Sequence, residues 1–338
     1  HRGSRICLEA KGHVKRLTCP YHAWSYGLDG SLSNARAMGD GFDQTQFGLK
    51  GCNVLVFEGL IFVNLCQDEE QAADIEPVMR DLQPWLQRAD LRRTRIAFHE
   101  IYPSRVNWKI ALENYFECYH CITTHPELCA LQLHTQRDGI GTSDSIAKFN
   151  ESNLEWATWA NALGHKTGAI SRPVAETDEE NYGMQRCYAE RMLLHDNPDA
   201  VYERLGKKDL MRPSKLLGDY QADDNGQVDW GILPSCFGYT SCTSTVIYRV
   251  TPLSPTECEL SQTWLVHEDA EEGIDYDVEG VTWLDQVTQL QDAAIMSNTQ
   301  AGVSSRHYEP GPYSQLEAPI IQVHRDYIRT LRYGRGLV

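Results

Sequence analysis

The chain has 338 residues, 41% of them hydrophobic, and 31 Lys and Arg against 47 Asp and Glu leave a formal net charge of −16. That length allows one or two domains with a substantial core, and the acidic balance argues against nucleic acid or an anionic membrane as partner. No stretch approaches the roughly 18 consecutive apolar residues of a membrane span, so a soluble, cytoplasmic protein is expected.

The opening HRGSRICLEAKGH has no apolar segment of the kind a signal peptide carries. It also lacks an initiator Met, which leads to the expectation that the natural chain extends further upstream. Eleven cysteines without dense, regular spacing read as intracellular thiols and ligands more than as a disulfide framework. Charge is uneven. Residues 1–50 hold seven Lys and Arg against four acids, either a basic patch for an acidic partner or a solvated surface.

The first 65 residues read as short strands and turns. GLDGSL at 27–32 is a turn between extended segments, and NVLVFEGLIFVNL at 53–65 is two β-rich runs broken by Glu58-Gly59, a hairpin signal. Within this region Cys19-Pro20-Tyr21-His22 is C-x-x-H, two ligand types three residues apart on a turn. His1 precedes Cys19 with seventeen residues between them. A Rieske centre holds one iron of [2Fe–2S] with two Cys and the other with two His. Its pattern is C-x-H, a gap of about fifteen to seventeen residues, then C-x-x-H. His1, Cys19 and His22 fit three of the four places; the first cysteine falls two positions before residue 1, and Cys7 is no substitute by spacing.

Residues 66–106 read as a connector, with an acidic QDEEQAADIEP and a short amphipathic DLQPWLQRADL. From Asn107 a helix puts Trp108, Ala111, Leu112, Tyr115, Phe116 and Tyr119 on one apolar face. The opposite stripe carries Glu113, Asn114, Glu117 and His120, with Glu117 and His120 as helix neighbours. His125 lies about 140° round a straight helix from His120. Both imidazoles meet one metal only if the helix loosens after Cys121, which Pro126 favours. The alternative is a solvated polar face. Asn114, on the same helix, is a candidate to support the ligands from behind.

Residues 129–230 have little periodicity: EWATWANALG and YAERMLLHD read as helices and GDYQADDNGQ as a loop, while 235–268 alternate as strands. In VTWLDQVTQLQDAAIMSNTQAG, Leu284, Val287, Gln291 and Ile295 mark a helical stripe with Asp292 about 80° from its centre. Asp292 is either an ordinary surface acid or the carboxylate of a two-His, one-carboxylate triad with His120 and His125, which leaves open positions on Fe(II). Trp156, Trp159, Tyr239, Tyr248 and Trp264 are either core or an aromatic box for a methylated ammonium. Cys118, Cys121 and Cys129 read as buried small hydrophobes.

Taken in order, HRG, CPYHAWSYGLDGSL, NWK, ENYFECYHCITTHPEL and QDAAIMSNTQAGVSSRHYEPGPYS resemble the large (α) subunit of the Rieske non-haem iron oxygenases, the ring-hydroxylating oxygenase family. The resemblance spans nearly the whole chain. It implies an α+β fold, with a Rieske all-β iron–sulfur domain at 1–68 lacking its N-terminal part. A helix-grip (START-like) catalytic domain follows at 69–338, with a curved antiparallel sheet round a long helix. By position His1, Cys19 and His22 match the cluster ligands, and His120, His125 and Asp292 the mononuclear iron triad. Glu117 stands where many members have an aspartate, a carboxylate that bridges to a cluster His of the neighbouring subunit in a head-to-tail homotrimer. The matching role for Glu117 is to link His22 of one chain with His120 of another.

The ECYHC form resembles the branch that acts on carnitine, glycine betaine and stachydrine. What this implies is a terminal oxygenase component that uses O2 to hydroxylate or N-demethylate a small quaternary ammonium compound. Its electrons come from NAD(P)H through a flavin and iron–sulfur reductase or a ferredoxin. The alternatives are an aromatic-ring hydroxylating dioxygenase and, outside enzymes, a Rieske electron carrier. The carrier has no need of His120, His125 and Asp292, and a ligand-binding protein of helix-grip shape needs neither ligand set.

Overall fold

In the first fifty residues aromatic side chains gather round the C-x-x-H loop. The computed structural model describes residues 2–9, 11–66, 76–169, 185–191, 198–223, 226–232 and 235–333. It divides into two units, one formed by His1–Val56 and Leu60–Ala72, the other by Phe57–Gly59 and Ala73–Val338. His1 and the QDEEQAAD stretch lie outside the described residues.

The first unit contains a three-stranded antiparallel sheet, β1 (Leu17–Thr18), β2 (Ser25–Tyr26) and β3 (Leu32–Asn34). Its core is Cys19, Trp24, Tyr26 and Leu32, all buried. Trp24 meets Phe42 edge-on at 5.5 Å, and Phe42 stacks on Phe47 at 4.7 Å. The GLDGSL turn closes through Gly27 N–H to Ser31 O, with Asp29 Oδ1 accepting from Ser31 N–H at 3.0 Å. β4 (Asn53–Phe57) and β5 (Leu60–Asn64) form the expected hairpin. Glu58 and Gly59 both have positive φ, 49° and 82°, which is what a two-residue turn matched to strand twist requires.

In the second unit α1 (Glu76–Leu86) leads to β6 (Thr94–Ser104), then α2 (Trp108–Phe116), α3 (Cys121–Thr124), α4 (Pro126–Leu131) and α5 (Ser143–Ala162). There follow β7 (Gly168–Ala169), β8 (Gln185–Arg191), α6 (Pro198–Arg204), β9 (Gly226–Ile232), β10 (Cys236–Thr240), β11 (Ser244–Ser254) and β12 (Glu257–His267). The chain closes with α7 (Val278–Val303) and α8 (Ala318–Tyr333). The strands make one antiparallel sheet in the order β6-β12-β11-β10-β9-β8-β7. No described helix is long and apolar enough to cross a membrane.

Three local expectations change. The connector at 66–106 includes β6, an eleven-residue strand paired with β12 from Thr94↔His267 to Ser104↔Cys258. Its charged residues sit on a sheet edge, where they cost little. The start of YAERMLLHD is the end of strand β8, held by pairing with β9 from Gln185↔Ile232 to Arg191↔Gly226. Such pairing overrides local helix preference. The presumed loop GDYQADDNGQ ends inside β9, whose seven residues are all buried.

α7 spans 26 residues, about 39 Å at the usual rise. It is capped by the Asp277 side chain accepting from Gly280 N–H. It crosses the sheet through polar contacts: Gln286 Nε2 to Glu100 Oε2 on β6 (2.7 Å), Trp264 Nε1 on β12 to Asp285 Oδ2 (2.8 Å), and Gln262 Nε2 on β12 to Gln289 Oε1 (3.2 Å). The main core fills in beside it, with Leu112 and Phe116 from α2 meeting Phe237, Val246, Trp264 and Met296.

β10 runs close to its neighbours because Gly238 has no side chain. A Cβ there stands 2.2 Å from the Val246 carbonyl oxygen. Gly238→Ala is therefore expected to destabilise the protein by about 1–3 kcal/mol through overpacking, seen as a lower midpoint in thermal unfolding followed by circular dichroism. An unchanged midpoint means that β10 and β11 separate freely at this point.

Candidate metal and substrate site

α2 begins at the Asn107 cap, whose side chain accepts from Lys109 N–H, and stops at Phe116, one residue before Glu117. The helix expected to run on through His120 therefore ends earlier, and Tyr119, assigned to the apolar face, is 50% exposed. The chain restarts as the single turn α3 and again as α4, with Pro126 as its first residue and His125 at the junction with φ −120° and ψ 73°. These two breaks bring His120 and His125 together. Their Nε2 atoms lie 3.2 Å apart, and Asp292 Oδ1 on α7 is 3.3 Å from the first and 3.0 Å from the second.

Hydrogen bonds behind the rings decide which nitrogens carry protons. His120 Nδ1 meets Glu117 Oε1 at 2.5 Å, and because an ionised carboxylate only accepts, the proton is on Nδ1. His125 is 1% exposed and places its Nδ1 2.8 Å from Gln291 Oε1. Gln291 in turn donates from Nε2 to Glu127 Oε2 at 2.8 Å, which orients the amide with its oxygen toward His125. Both Nε2 lone pairs thus point at Asp292. Asn114 Nδ2 donates to Asp292 Oδ1 at 3.0 Å and lies 3.2 Å from His120 Nε2.

Three acceptor atoms converging in this way call for a cation. With metal–ligand bonds of about 2.1 Å, neighbouring donors of an octahedral ion lie about 3 Å apart, and the observed separations are 3.0, 3.2 and 3.3 Å. The donor set therefore fits a mononuclear metal. The same surroundings also attract a proton: burial opposes charge on His120, but the Asp292 and Glu117 carboxylates outweigh it and push its pKa up to about 9. Asp292 moves the other way, its pKa lowered by the two imidazoles against the cost of burial. Cys121 Sγ is also near, within 4.8 Å of ligand atoms of both His. It is bonded to Cys118 in a disulfide and so offers no thiolate. Cys118 and Cys121, expected as buried small hydrophobes, are buried but joined to each other across the turn that carries His120.

The donors line a cavity of about 260 Å³. Tyr115, Phe237, Tyr239 and Tyr248 form its aromatic wall, with ring centroids 3.9 Å apart for Tyr115–Phe237 and 5.3 Å for Phe237–Tyr248. Of the aromatics proposed from sequence, Tyr239 and Tyr248 reach the cavity. Trp264 is fully buried behind them, Trp156 is core on α5, and Trp159 is 42% exposed. Sequence reading missed Phe237 and Asp285, and it named Tyr115 and Gln291 only as packing residues. The signal was present in α7, where Asp285, Gln289 and Asp292 repeat at helical spacing and all line the cavity. Gln289 Nε2 and Gln262 Oε1 there are buried without a hydrogen-bond partner.

In the first unit the C-x-x-H loop closes through Cys19 N–H to Trp24 O (2.8 Å) and Ala23 N–H to Cys19 O (2.9 Å). Cys19 is fully buried and His22 exposed. The Tyr21 backbone N–H holds the Cys19 thiol below its usual pKa against the cost of burial, and the His22 N–H adds to it. That favours the thiolate, the form that binds metal.

Residues 91–332 match the family described as ring hydroxylating alpha subunit, catalytic domain, and residues 1–51 match the Rieske [2Fe–2S] domain. A glycine betaine monooxygenase oxygenase subunit of Pseudomonas aeruginosa is 31% identical over 317 residues, covering 93% of this chain and 69% of its own length. One from Chromohalobacter salexigens is 32% identical over 321 residues, with 93% and 66% covered. The chain thus spans about two thirds of the length of these relatives. A quaternary ammonium Rieske monooxygenase solved in complex with L-carnitine has the same fold, with a TM-score of 0.61 at 17% identity over 97% of this chain and 75% of that one.

His120→Ala, His125→Ala and Asp292→Ala are each expected to lose the mononuclear metal while the visible absorption of the cluster stays, because each removes one donor only. Gln291→Leu, which keeps all three donors but breaks the relay to His125, is expected to weaken metal retention by about 10- to 100-fold. Metal analysis after dialysis against a chelator checks both. Wild-type metal content in any alanine variant removes that residue from the donor set.

Proposed function

The chain belongs to the ring-hydroxylating oxygenase family as an alpha subunit, with a Rieske [2Fe–2S] domain and a non-haem iron catalytic domain, and on that premise we propose that it is the terminal oxygenase for a small quaternary ammonium compound. The observation that carries this reading is a two-His, one-carboxylate donor set opening onto a cavity walled by aromatic rings and acids. The proposed division is 1–68 for the Rieske domain and 69–338 for the catalytic domain. His120, His125 and Asp292 are the proposed iron ligands, and His1, Cys19 and His22 are three of the four cluster ligands.

Iron in such a site supplies binding and activation of dioxygen, and a Rieske cluster of moderate potential, roughly −150 to +300 mV, supplies single electrons. The protein's own groups do the rest. Glu117 and the Glu127–Gln291 pair hold the two imidazoles in the tautomer that presents Nε2, and Asn114 steadies Asp292. The aromatic wall excludes water and offers ring faces to a cation, an attraction of about 0.5–2 kcal/mol. A neutral arene needs the apolar slot but gains nothing from the acids. Relatives named for glycine betaine and carnitine support the same choice.

The electrons are proposed to come from NAD(P)H through a flavin and iron–sulfur reductase or a ferredoxin, and the working assembly is proposed to be a homotrimer. In it Glu117 joins His120 of one subunit to His22 of the next. Glu117→Gln is expected to keep both metal centres yet slow electron transfer and product formation by orders of magnitude, measured as single-turnover oxidation of the reduced cluster. Wild-type turnover in this variant reduces Glu117 to a helix-terminus cap.

The substrate class is tested by offering glycine betaine, carnitine and a proline betaine beside simple aromatic acids to the reconstituted protein with a reductase. Oxygen uptake coupled to product is expected for a betaine, with formaldehyde released where an N-methyl group is attacked. Coupled turnover of the aromatic acids and none of the betaines overturns the substrate reading and leaves the oxygenase assignment standing.

A further inference from the structure

Among the described residues, three carboxylates line the cavity besides the metal donor and its support: Asp138, Asp229 and Asp285. Asp138 pairs with Arg137 and Asp229 accepts from Gln227 Nε2 at 3.1 Å, and the third is placed among aromatic rings. Asp285 accepts hydrogen bonds from Tyr239 OH, from Tyr248 OH at 3.1 Å and from Trp264 Nε1 at 2.8 Å. All three donors are neutral, and among the described residues no Lys, Arg or His pairs with it. Burial raises its pKa, with the three hydrogen bonds working in the opposite direction. A carboxylate withdrawn from water normally has a charged partner. Here the cavity that Asp285 lines leaves room for one from outside.

Position and chemistry limit what that partner is. Asp285 and Asp292 are seven residues apart on α7, so they stand on one face of the helix about 10 Å from each other. Both line the same cavity, with Tyr115, Phe237 and Tyr248 in its wall. The hydrogen-bonding capacity of Asp285 is largely taken up by Tyr239, Tyr248 and Trp264, whereas its charge is not cancelled. An ammonium with N–H groups needs several acceptors, and of the roughly four lone-pair sites of a carboxylate three are taken here. A tetraalkylammonium carries charge and no N–H, and its methyl surface suits aromatic faces.

We propose that Asp285 is the specificity-determining residue for the positive charge of the substrate, holding a quaternary ammonium group between itself and the metal donors. The inference rests on the quaternary ammonium reading above and adds the residue that enforces it. Tyr239, Tyr248 and Trp264 fix the carboxylate, about two helical turns along α7 from Asp292. An N-methyl group of the bound cation then faces the triad, and the neutral carbon analogue of the same shape gains no attraction from Asp285.

The test compares glycine betaine with 3,3-dimethylbutanoate, in which carbon replaces the charged nitrogen, by isothermal titration calorimetry on the metal-loaded protein. Asp285→Asn keeps the size of the side chain and removes its charge. It is expected to weaken glycine betaine binding at least tenfold, about 1.4 kcal/mol, and to leave 3,3-dimethylbutanoate within about twofold. Asp285→Glu restores the charge and is expected to retain the preference for the cation; it also decides the matter if the Asn variant does not fold. Equal weakening of both ligands in Asp285→Asn, no weakening of either, or a folded Asp285→Glu without the preference overturns the assignment. A wild-type protein that binds none of glycine betaine, carnitine and choline overturns the quaternary ammonium reading itself, and this assignment with it.

Discussion

Polar side chains on α7 must find partners inside the protein, and much of the catalytic unit is arranged to supply them. A buried polar group left unpaired costs about 1–3 kcal/mol, and this helix turns several toward the sheet and toward the short helices α2 to α4. Gln286 is met by Glu100, Asp285 by two tyrosines and a tryptophan, Gln289 by Gln262, Gln291 by His125 and Glu127, and Gln300 by the Asn107 N–H. The partners come from β6, β10, β11, β12 and the helices of the ligand segment. Pairing of this kind fixes the rotation of α7 about its axis more tightly than apolar packing alone, because a small turn breaks several bonds at once.

That rotation is what makes the proposed metal site possible. Asp292 faces His120 and His125 only while Asp285 and Gln289 are docked on the sheet, since all three share one stripe. The opposing side is built from interruption. Had α2 continued, His120 and His125 would point well apart; its end at Phe116 and the restart at Pro126 let both Nε2 atoms reach one carboxylate oxygen. Glu117 and the Glu127–Gln291 pair then settle the protons on the far side of each ring. Irregular backbone at this point serves the chemistry, and the regular helix opposite holds it in register.

The same stripe underlies the proposal that the cavity takes a charged substrate. Asp292 is balanced by two imidazoles, but Asp285, two turns away, is stabilised by neutral donors alone. The aromatic rings between them form a low-dielectric wall in which an uncompensated charge is felt strongly. A permanent cation relieves that imbalance without competing for hydrogen bonds.

Residues close in sequence and tied to fixed spacing were legible from the chain alone. Cys19 and His22, the Glu58-Gly59 hairpin, the strands after residue 235 and the long helix carrying Asp292 depend on local turn chemistry and periodicity, and the structure places the strands and helix where the pattern implies. His120, His125 and Asp292 could be named together because each is a ligand type at a local break or face edge. Tertiary structure alone decided the rest. β6 and β8 are strands because they pair with β12 and β9 across long stretches of chain, against their local appearance. Gln291 became a support for His125 through partners 164 and 166 residues away, and Asp285 a carboxylate held by neutral donors through partners on three different strands, 21 to 46 residues away. Periodicity reports which face of an element is buried, but the charge and hydrogen-bonding state of a group depend on what packs against it, and that is set only when the sheet closes on α7.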